Sequence, residues 1–445
     1  MAGGEDTRAQ PRLAAVAEPS RPPQPDGAER GRRYGALHHR DFTLLWLGLL
    51  VSNAGTWMQN VAQGWVIYNL TDSTVALGAM GLAFGLPMVL FPLVGGVVAD
   101  RVDRLTLLRI TQSTSLFLAL LLAALTWLGV VQFWHFFVIA LASATVLAFD
   151  NPARQALIPD LVPRQDLMSA ISLNSVSFTG AQLVGPAVAG LILAAFGQRM
   201  LLAGAIVFFV NALSYLAVLV PLFFIRPRAE HVAAQRAQAE ARPEGNPLIE
   251  GLRYVRGQPV LVLLVGTVAV TSVFGRSFTY LLPVFARDVL AVGGAGLGWL
   301  NAAAGGGTIA AGLLLAGHAG ALSRRRLIVG GMLALTLAVY GFVLSGSFVL
   351  SLGLLALTGA ASTVTSASVA TQIQSTVPGH LRGRVMSLNT LCLIGLSPIG
   401  SSISALLARV LPIQLAIGLT ATVMLLYLIA TVASRPIRRA WRAIP

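Results

Sequence analysis

Apolar stretches of about twenty residues or more follow one another almost without a break, and that succession constrains the chain more than any other feature. A helix rises 1.5 Å per residue, so roughly 20 mainly apolar residues cross the ~30 Å hydrocarbon core of a bilayer. Such stretches fall near 42–68, 74–98, 105–128, 133–157, 167–195 and 200–224. After a polar segment, six more fall near 259–285, 295–317, 325–345, 348–373, 383–408 and 413–433. Of the 445 residues 56% are hydrophobic and 11% charged, against about 45–50% and 25% in soluble domains. Surface grows too slowly with mass for a soluble fold to hide that much apolar area. The expectation is an all-α membrane protein of twelve transmembrane helices. Its parts are a disordered cytoplasmic tail (1–40), a six-helix bundle (41–225), a cytoplasmic linker (226–257), a second six-helix bundle (258–434) and a short C-terminal tail (435–445).

The net charge of +14 raises the question of nucleic acid, and the placement of the charge answers it. All 31 cationic side chains are arginine, and 27 of them fall on the tails or on the connections that alternate spans place on the N-terminal side. Cytoplasmic loops carry the basic excess, so both termini are expected in the cytoplasm of a multi-pass inner-membrane protein. An odd number of spans would scramble the alternation. Connections as short as Ser345-Gly-Ser347 make neighbouring helices antiparallel. The absence of lysine removes a Gly-Lys-Ser/Thr phosphate loop and Schiff-base chemistry, and the single cysteine, Cys392, removes internal disulfides and cysteine metal clusters. The first 40 residues lack the apolar run of a signal peptide, and Arg32-Arg33 is not read as a twin-arginine signal.

The two halves repeat. At a constant offset of 215, Val162-Pro163 matches Val377-Pro378, Ser172-Leu-Asn174 matches Ser387-Leu-Asn389, and Gly180 and Gly185 match Gly395 and Gly400. Both copies run from the connection before a half's fifth span into that span. Six spans plus six in one orientation form a parallel repeat, which puts a substrate site between the halves near the midplane, reached alternately from the two sides.

Several polar residues stand inside apolar spans. The first carries Asn53, Thr56, Trp57, Asn60, Gln63 and Gly64 at spacings of three and four, a single stripe that faces the bundle interior. It either lines a cavity or makes interhelical hydrogen bonds, worth roughly 0.6 kcal/mol each. Asn174, Ser177 and Gln182 on the fifth span are weaker candidates, as is Asn389, the repeat-equivalent of Asn174. Arg276 is a charge well inside a span, where insertion costs roughly 2.5–3.5 kcal/mol. Three readings stay open for it: contact with an anionic or polar substrate, a pair with Asp288 or a carbonyl, and snorkelling. No Asp, Glu or His falls in the middle of a span as bounded above; Asp41, Asp150, Asp288 and His135 sit near span ends. No nucleophile or metal constellation points to an enzyme, and the polar linker is too short for a folded sensor domain.

Gly96-Val-Val-Ala-Asp100-Arg101-Val-Asp103-Arg104, between the second and third spans, resembles the Gly-x-Leu-x-Asp-Arg-x-Gly-Arg-Arg signature of the major facilitator superfamily. Gly96, Asp100, Arg101 and Arg104 match; Val98, Asp103 and Leu105 depart from it. The resemblance implies a charge relay of Asp100, Arg104 and an acid on the fourth helix, docked on the eleventh, that holds the outward-facing state; a static loop bridge is the alternative. Asp150, in Asp150-Asn-Pro-Ala-Arg154, is the natural candidate for that acid. Gly185-Pro186-Ala-Val-Ala-Gly190 resembles the Gly-Pro motif of exporters and drug–proton antiporters, with Ala189 where glycine is usual. It reads as a hinge or as a packing kink. Arg40-Asp-Phe-Thr-Leu-Leu-Trp46, Gly64-Trp-Val-Ile-Tyr68, Ile158-Pro-Asp-Leu-Val162 and Leu282-Pro-Val-Phe-Ala-Arg287-Asp288 narrow the likeness to the enterobactin-exporter and macrolide-efflux branch, over about residues 36–435. That resemblance implies a monomeric secondary transporter without a cofactor, driven by the proton gradient, that exports small amphipathic drug- or siderophore-like molecules. Metabolite uptake or lipid translocation by the same fold is the alternative, and a non-transporting sensor is the remote one.

Overall fold

The computed structural model describes residues 34–91, 98, 102–197, 199–225, 247–317 and 323–433. Helices occupy nearly all of them. They are α1 (Arg40–Thr71), α2 (Thr74–Leu90), α3 (Arg104–Trp127), α4 (Phe133–Leu161), α5 (Leu167–Ala195) and α6 (Met200–Phe224). A linker helix, Pro247–Arg256, precedes α7 (Pro259–Val289), α8 (Gly293–Gly317), α9 (Arg324–Leu344), α10 (Phe348–Thr376), α11 (Gly379–Leu407) and α12 (Ile413–Ala433). Ten helices of the described residues, α3 to α12, are long and apolar enough to cross a bilayer. At 32 residues α1 has the length, but its polar stripe lowers its apolarity, and the described part of α2 has 17 residues.

Local chemistry sets the boundaries. The side chains of Ser73, Asp103 and Ser323 accept hydrogen bonds from the backbone N–H groups of Ala76, Thr106 and Arg326, capping α2, α3 and α9. Asp72 ends α1 in the left-handed region at φ 49°. Two departures from the sequence reading matter. α4 continues through Pro152 and Pro159 to Leu161, four residues past the expected end. The expected linker also contains a helix, which rests on the start of α11, where Gly251 meets the Arg384 carbonyl and Glu250 pairs with the Arg384 side chain.

α1 to α6 pack chiefly among themselves, as do α8 to α10 and α9 with α12, and two seams join the first six helices to the last six: α2 against α11 and α5 against α8. The seams obey the repeat, because α5 and α11 are the repeated helices and each reaches the second helix of the opposite set. α7 and α11 are irregular where α1 and α5 are not. A π-turn occupies Thr271–Gly275, the chain leaves the helix at Arg276, and short 3-10 and α turns lead to a second π-turn, Phe285–Val289. In α11 a π-turn at Leu391–Gly395 precedes Pro398, whose ring nitrogen cannot donate to the helix.

Candidate transport pathway and its gates

The first charge cluster lies where α3 begins and α4 ends. Arg104 Nη1 donates to Asp160 Oδ2 at 2.6 Å and to the Ala156 carbonyl at 2.8 Å, with both side chains mostly buried. The acid facing Arg104 is therefore Asp160 and not Asp150. The extra turn of α4 explains the difference, for Asp150 stands eleven residues before the helix end, about 16 Å along the axis. There it is 3% exposed, pairs with Arg154 one turn on at 3.0 Å, and accepts from Thr111 Oγ1 and Gln112 Nε2 of α3, both at 2.8 Å. Asp150 thus lies deeper in its span than the expected boundaries allowed. Arg154 also donates to Asn151 Oδ1. Gly96, Asp100 and Arg101 lie outside the described residues, so the remainder of the expected relay does too.

At the opposite end, α1 and α7 are tied together. Arg287 pairs with Asp72 and, at 2.7 Å, with Asp288, and its guanidinium lies over the Tyr68 ring at 4.0 Å. The Tyr68 hydroxyl donates to Asp288. The sequence reading names Tyr68, Arg287 and Asp288 within family likenesses and Asp288 also as a possible partner of Arg276, and it does not single out Asp72. The missed signal was the repeat itself, because Asp72 and Arg287 are 215 residues apart. Asp72 is 78% exposed, and exposed ion pairs contribute only about 0.2–1 kcal/mol each.

Helix packing closes the same end more strongly. Thr74 Oγ1 donates to the Ala405 carbonyl at 3.1 Å, and Ser402 Oγ to the Gly78 carbonyl at 2.8 Å, stitching α2 to α11. On α5, a Cβ at Gly185 would come within 2.6 Å of the Ala54 carbonyl of α1, and one at Gly190 within 2.9 Å of the Ala295 carbonyl of α8. From the other side, a Cβ at Gly298 would lie 2.5 Å from both Gly190 Cα and the Pro186 carbonyl. The Gly185-Pro186…Gly190 motif is therefore the close crossing of α5 with α1 and α8, and α5 stays helical through Pro186. Its repeat partner Gly400 presses on the Val273 carbonyl of α7 as Gly185 presses on α1.

The structure divides the polar stripe of α1. Thr56 faces Tyr215, and Gln59 accepts from Asn211 at 2.6 Å, both on α6. Asn53 turns to Ser177 on α5 at 3.4 Å, and Trp57 stacks edge-on against Phe178 with ring centroids 6.3 Å apart. Asn60 is exposed and Gln63 buried. Asn174 and Gln182 are partly buried on α5, with the Gln182 backbone against Gly305 of α8. Asn389 is buried on α11 with no partner for Oδ1 among the described residues. Arg276 is not brought to Asp288, which Arg287 and Tyr68 occupy.

A family model described as transmembrane secretion effector matches residues 32–440. The staphyloferrin A transporter of Staphylococcus aureus is 27% identical over 53% of this chain and 56% of its own, so the chain spans little more than half the length of that relative. The multidrug efflux pump Tap of Mycolicibacterium fortuitum is 25% identical over 86% of this chain and 92% of its own. The enterobactin exporter EntS of Shigella boydii is 27% identical over 79% and 81%. Among solved structures, a bacterial homologue of the human lysosomal transporter Spinster, in an inward-facing and unoccupied conformation, superposes with a TM-score of 0.68 at 16% identity, covering 91% of this chain and 98% of that one. With helices of membrane-crossing length, two seams related by a sequence repeat and a family match over nearly its whole length, the chain belongs to the transmembrane secretion effector family of the major facilitator superfamily.

Proposed function

We propose that the protein exports small amphipathic molecules from the cytoplasm by alternating access, with the proton gradient as its energy source. In this reading α1 to α12 are twelve spans in two six-helix bundles joined by residues 226–257, both termini are cytoplasmic, and the protein works as a monomer in the inner membrane. The observation that carries the reading is the one-sidedness of the contacts between the two sets of helices. The α1–α7 cluster, the α2–α11 stitches and the α5–α8 glycine crossing gather toward the end of the molecule where α1 finishes and α2 begins. Among the described residues, the ion pairs toward the other end, Arg104–Asp160, His39–Asp166 and Glu250–Arg384, stay within one set. A transporter closed outside and parted inside presents its site to the cytoplasm, as loading for export requires.

Asp100, Arg101 and Arg104 would then engage α11 in the opposite, outward-facing state, with Asp160 holding Arg104 in place between cycles. The similarity to Tap and EntS supports efflux of drug-like or siderophore-like compounds, and Asn53, Trp57, Asn60 and Asn174 line the route. The test is accumulation of ethidium, a macrolide and a siderophore in cells lacking their own pumps. Lower accumulation with the wild type, abolished by a protonophore and weakened by Asp100→Asn, is the expected result. Raised accumulation would turn the assignment to uptake, and no change for any of the three compounds would refute broad export.

A further inference from the structure

Arg276 stands at the break of α7, with the Thr271–Gly275 π-turn behind it and non-helical residues ahead. Its guanidinium makes no hydrogen bond or ion pair with any described residue. The acids of the described charge clusters have cations of their own. Asp288 and Asp72 hold Arg287, Asp150 holds Arg154, Asp160 holds Arg104, Asp166 holds His39 and Glu250 holds Arg384. A guanidinium presents five N–H donors in a planar fork that suits an oxyanion, and membrane-embedded charges face bundle interiors and mark substrate paths rather than lipid.

The surroundings agree. Tyr280, an electrostatic neighbour of Arg276, lies against the position of Gly81 on α2, so this part of α7 looks across to the opposite set of helices. Three residues before Arg276, the Val273 carbonyl touches Gly400 of α11. The buried hydroxyls beside that contact, Ser272 on α7 and Ser401 on α11, have no hydrogen-bond partner among the described residues. Broken helices whose freed polar groups line a cavity are how transporters of this kind build binding sites.

We propose that the exported molecule is an amphipathic anion and that Arg276, at the break in α7, binds its oxyanion group. This rests on the export reading above and names its substrate class. The site lies beside the α2–α11 seam, so the bound anion is released outward when that seam parts.

The test uses the full chain in proteoliposomes with an imposed proton gradient and two permanently charged probes, 8-anilino-1-naphthalenesulfonate and ethidium. Wild type, Arg276→Gln and Arg276→Lys are compared after each is shown to be monodisperse. Transport of the sulfonate by the wild type, with KM raised about 10- to 100-fold in Arg276→Gln and kcat little changed, is expected from the loss of charge-assisted hydrogen bonds. Arg276→Lys, which keeps the charge but not the fork, should fall between. An unchanged KM for the sulfonate in Arg276→Gln overturns the proposal. So does transport of ethidium without the sulfonate, an outcome that leaves the export reading standing. Failure of folded wild type to move either probe refutes both.

Discussion

Replacing Gly298 by alanine tests the proposed outward closure, and whether glycine packing rather than the charged cluster holds that end shut. The added Cβ would lie 2.5 Å from Gly190 Cα and from the Pro186 carbonyl. Both are backbone atoms of α5, so no rotamer change relieves the clash, and α5 and α8 must separate by about an ångström. Overpacking of a tight contact costs about 1–3 kcal/mol. That cost falls only on the state in which the helices touch, so the equilibrium between closed and open outer ends shifts roughly 5- to 150-fold toward open. Spin labels at Val130 and Gly346, in the α3–α4 and α9–α10 connections, would read the change as a longer distance population. The background is Cys392→Ala, which removes the single native thiol. Gly353→Ala is the control, since a Cβ there meets nothing within 4 Å. An unchanged distance distribution in Gly298→Ala, or an equal change in the control, would refute the reasoning.

The charged cluster should matter less. Arg287→Ala removes contacts that are substantially exposed, so the same labels should shift by no more than about fivefold in population, the equivalent of ~1 kcal/mol; a larger shift would make the cluster the principal lock. At the α3–α4 junction, Arg104→Gln removes the guanidinium from the mostly buried Asp160 carboxylate and should destabilise by about 1–3 kcal/mol, the worth of a hydrogen bond to a charged group. The double variant Arg104→Gln/Asp160→Asn should lose clearly less than the sum of the two single changes, measured by thermal unfolding in detergent, and strict additivity would contradict the pairing. Amide exchange should be faster across Thr271–Leu281 of α7 than across the middle of α1, because the π-turn and the break deprive those N–H groups of regular helical partners; equal protection would count against the break.

The helices were legible because a bilayer demands long apolar runs, and the loops between them carried the arginines that fix alternation. The repeat at offset 215 was legible too, and it anticipates the equivalent roles of Gly185 and Gly400. What escaped was depth. The apolar run was bounded at residue 157, whereas α4 continues through Pro152 and Pro159 to Leu161. There Arg104 binds the Ala156 carbonyl near the helix end and the Asp160 side chain beyond it. That places Asp160 rather than Asp150 opposite Arg104 and draws Asp150 into the membrane interior. The Tyr68–Asp72–Arg287–Asp288 cluster escaped because its partners come from different spans and no local pattern joins them. The polar stripe of α1 was visible, but its division between α6, through Thr56 and Gln59, and α5, through Asn53, depended on the packing of neighbouring helices.

The two sets of helices share a pattern but differ in how they are held. In the first, buried ion pairs cross between elements: Arg104 with Asp160 links α3 to α4, and Asp166 binds His39 at the start of α1. Asp150 adds hydrogen bonds from α3 that would be costly to leave unmade. In the second, neutral links between helices, Ser277 to Thr420 and Tyr340 to Thr422, stand beside charge-assisted hydrogen bonds from Arg324 to Gln372 and Ser375 and the Glu250–Arg384 pair. Neutral hydrogen bonds exchange partners at lower cost than buried charges, and the irregular helices α7 and α11 belong to this second set. Because α11 forms one seam with α2, bending at its π-turn can open that seam without disturbing the ion-paired helices opposite. α8 has no such turn, so the α5–α8 seam must open by relative movement of whole helices. In the proposed alternating-access cycle one rigid set would be coupled to one that both rocks and bends, and Arg276 sits at the break of α7.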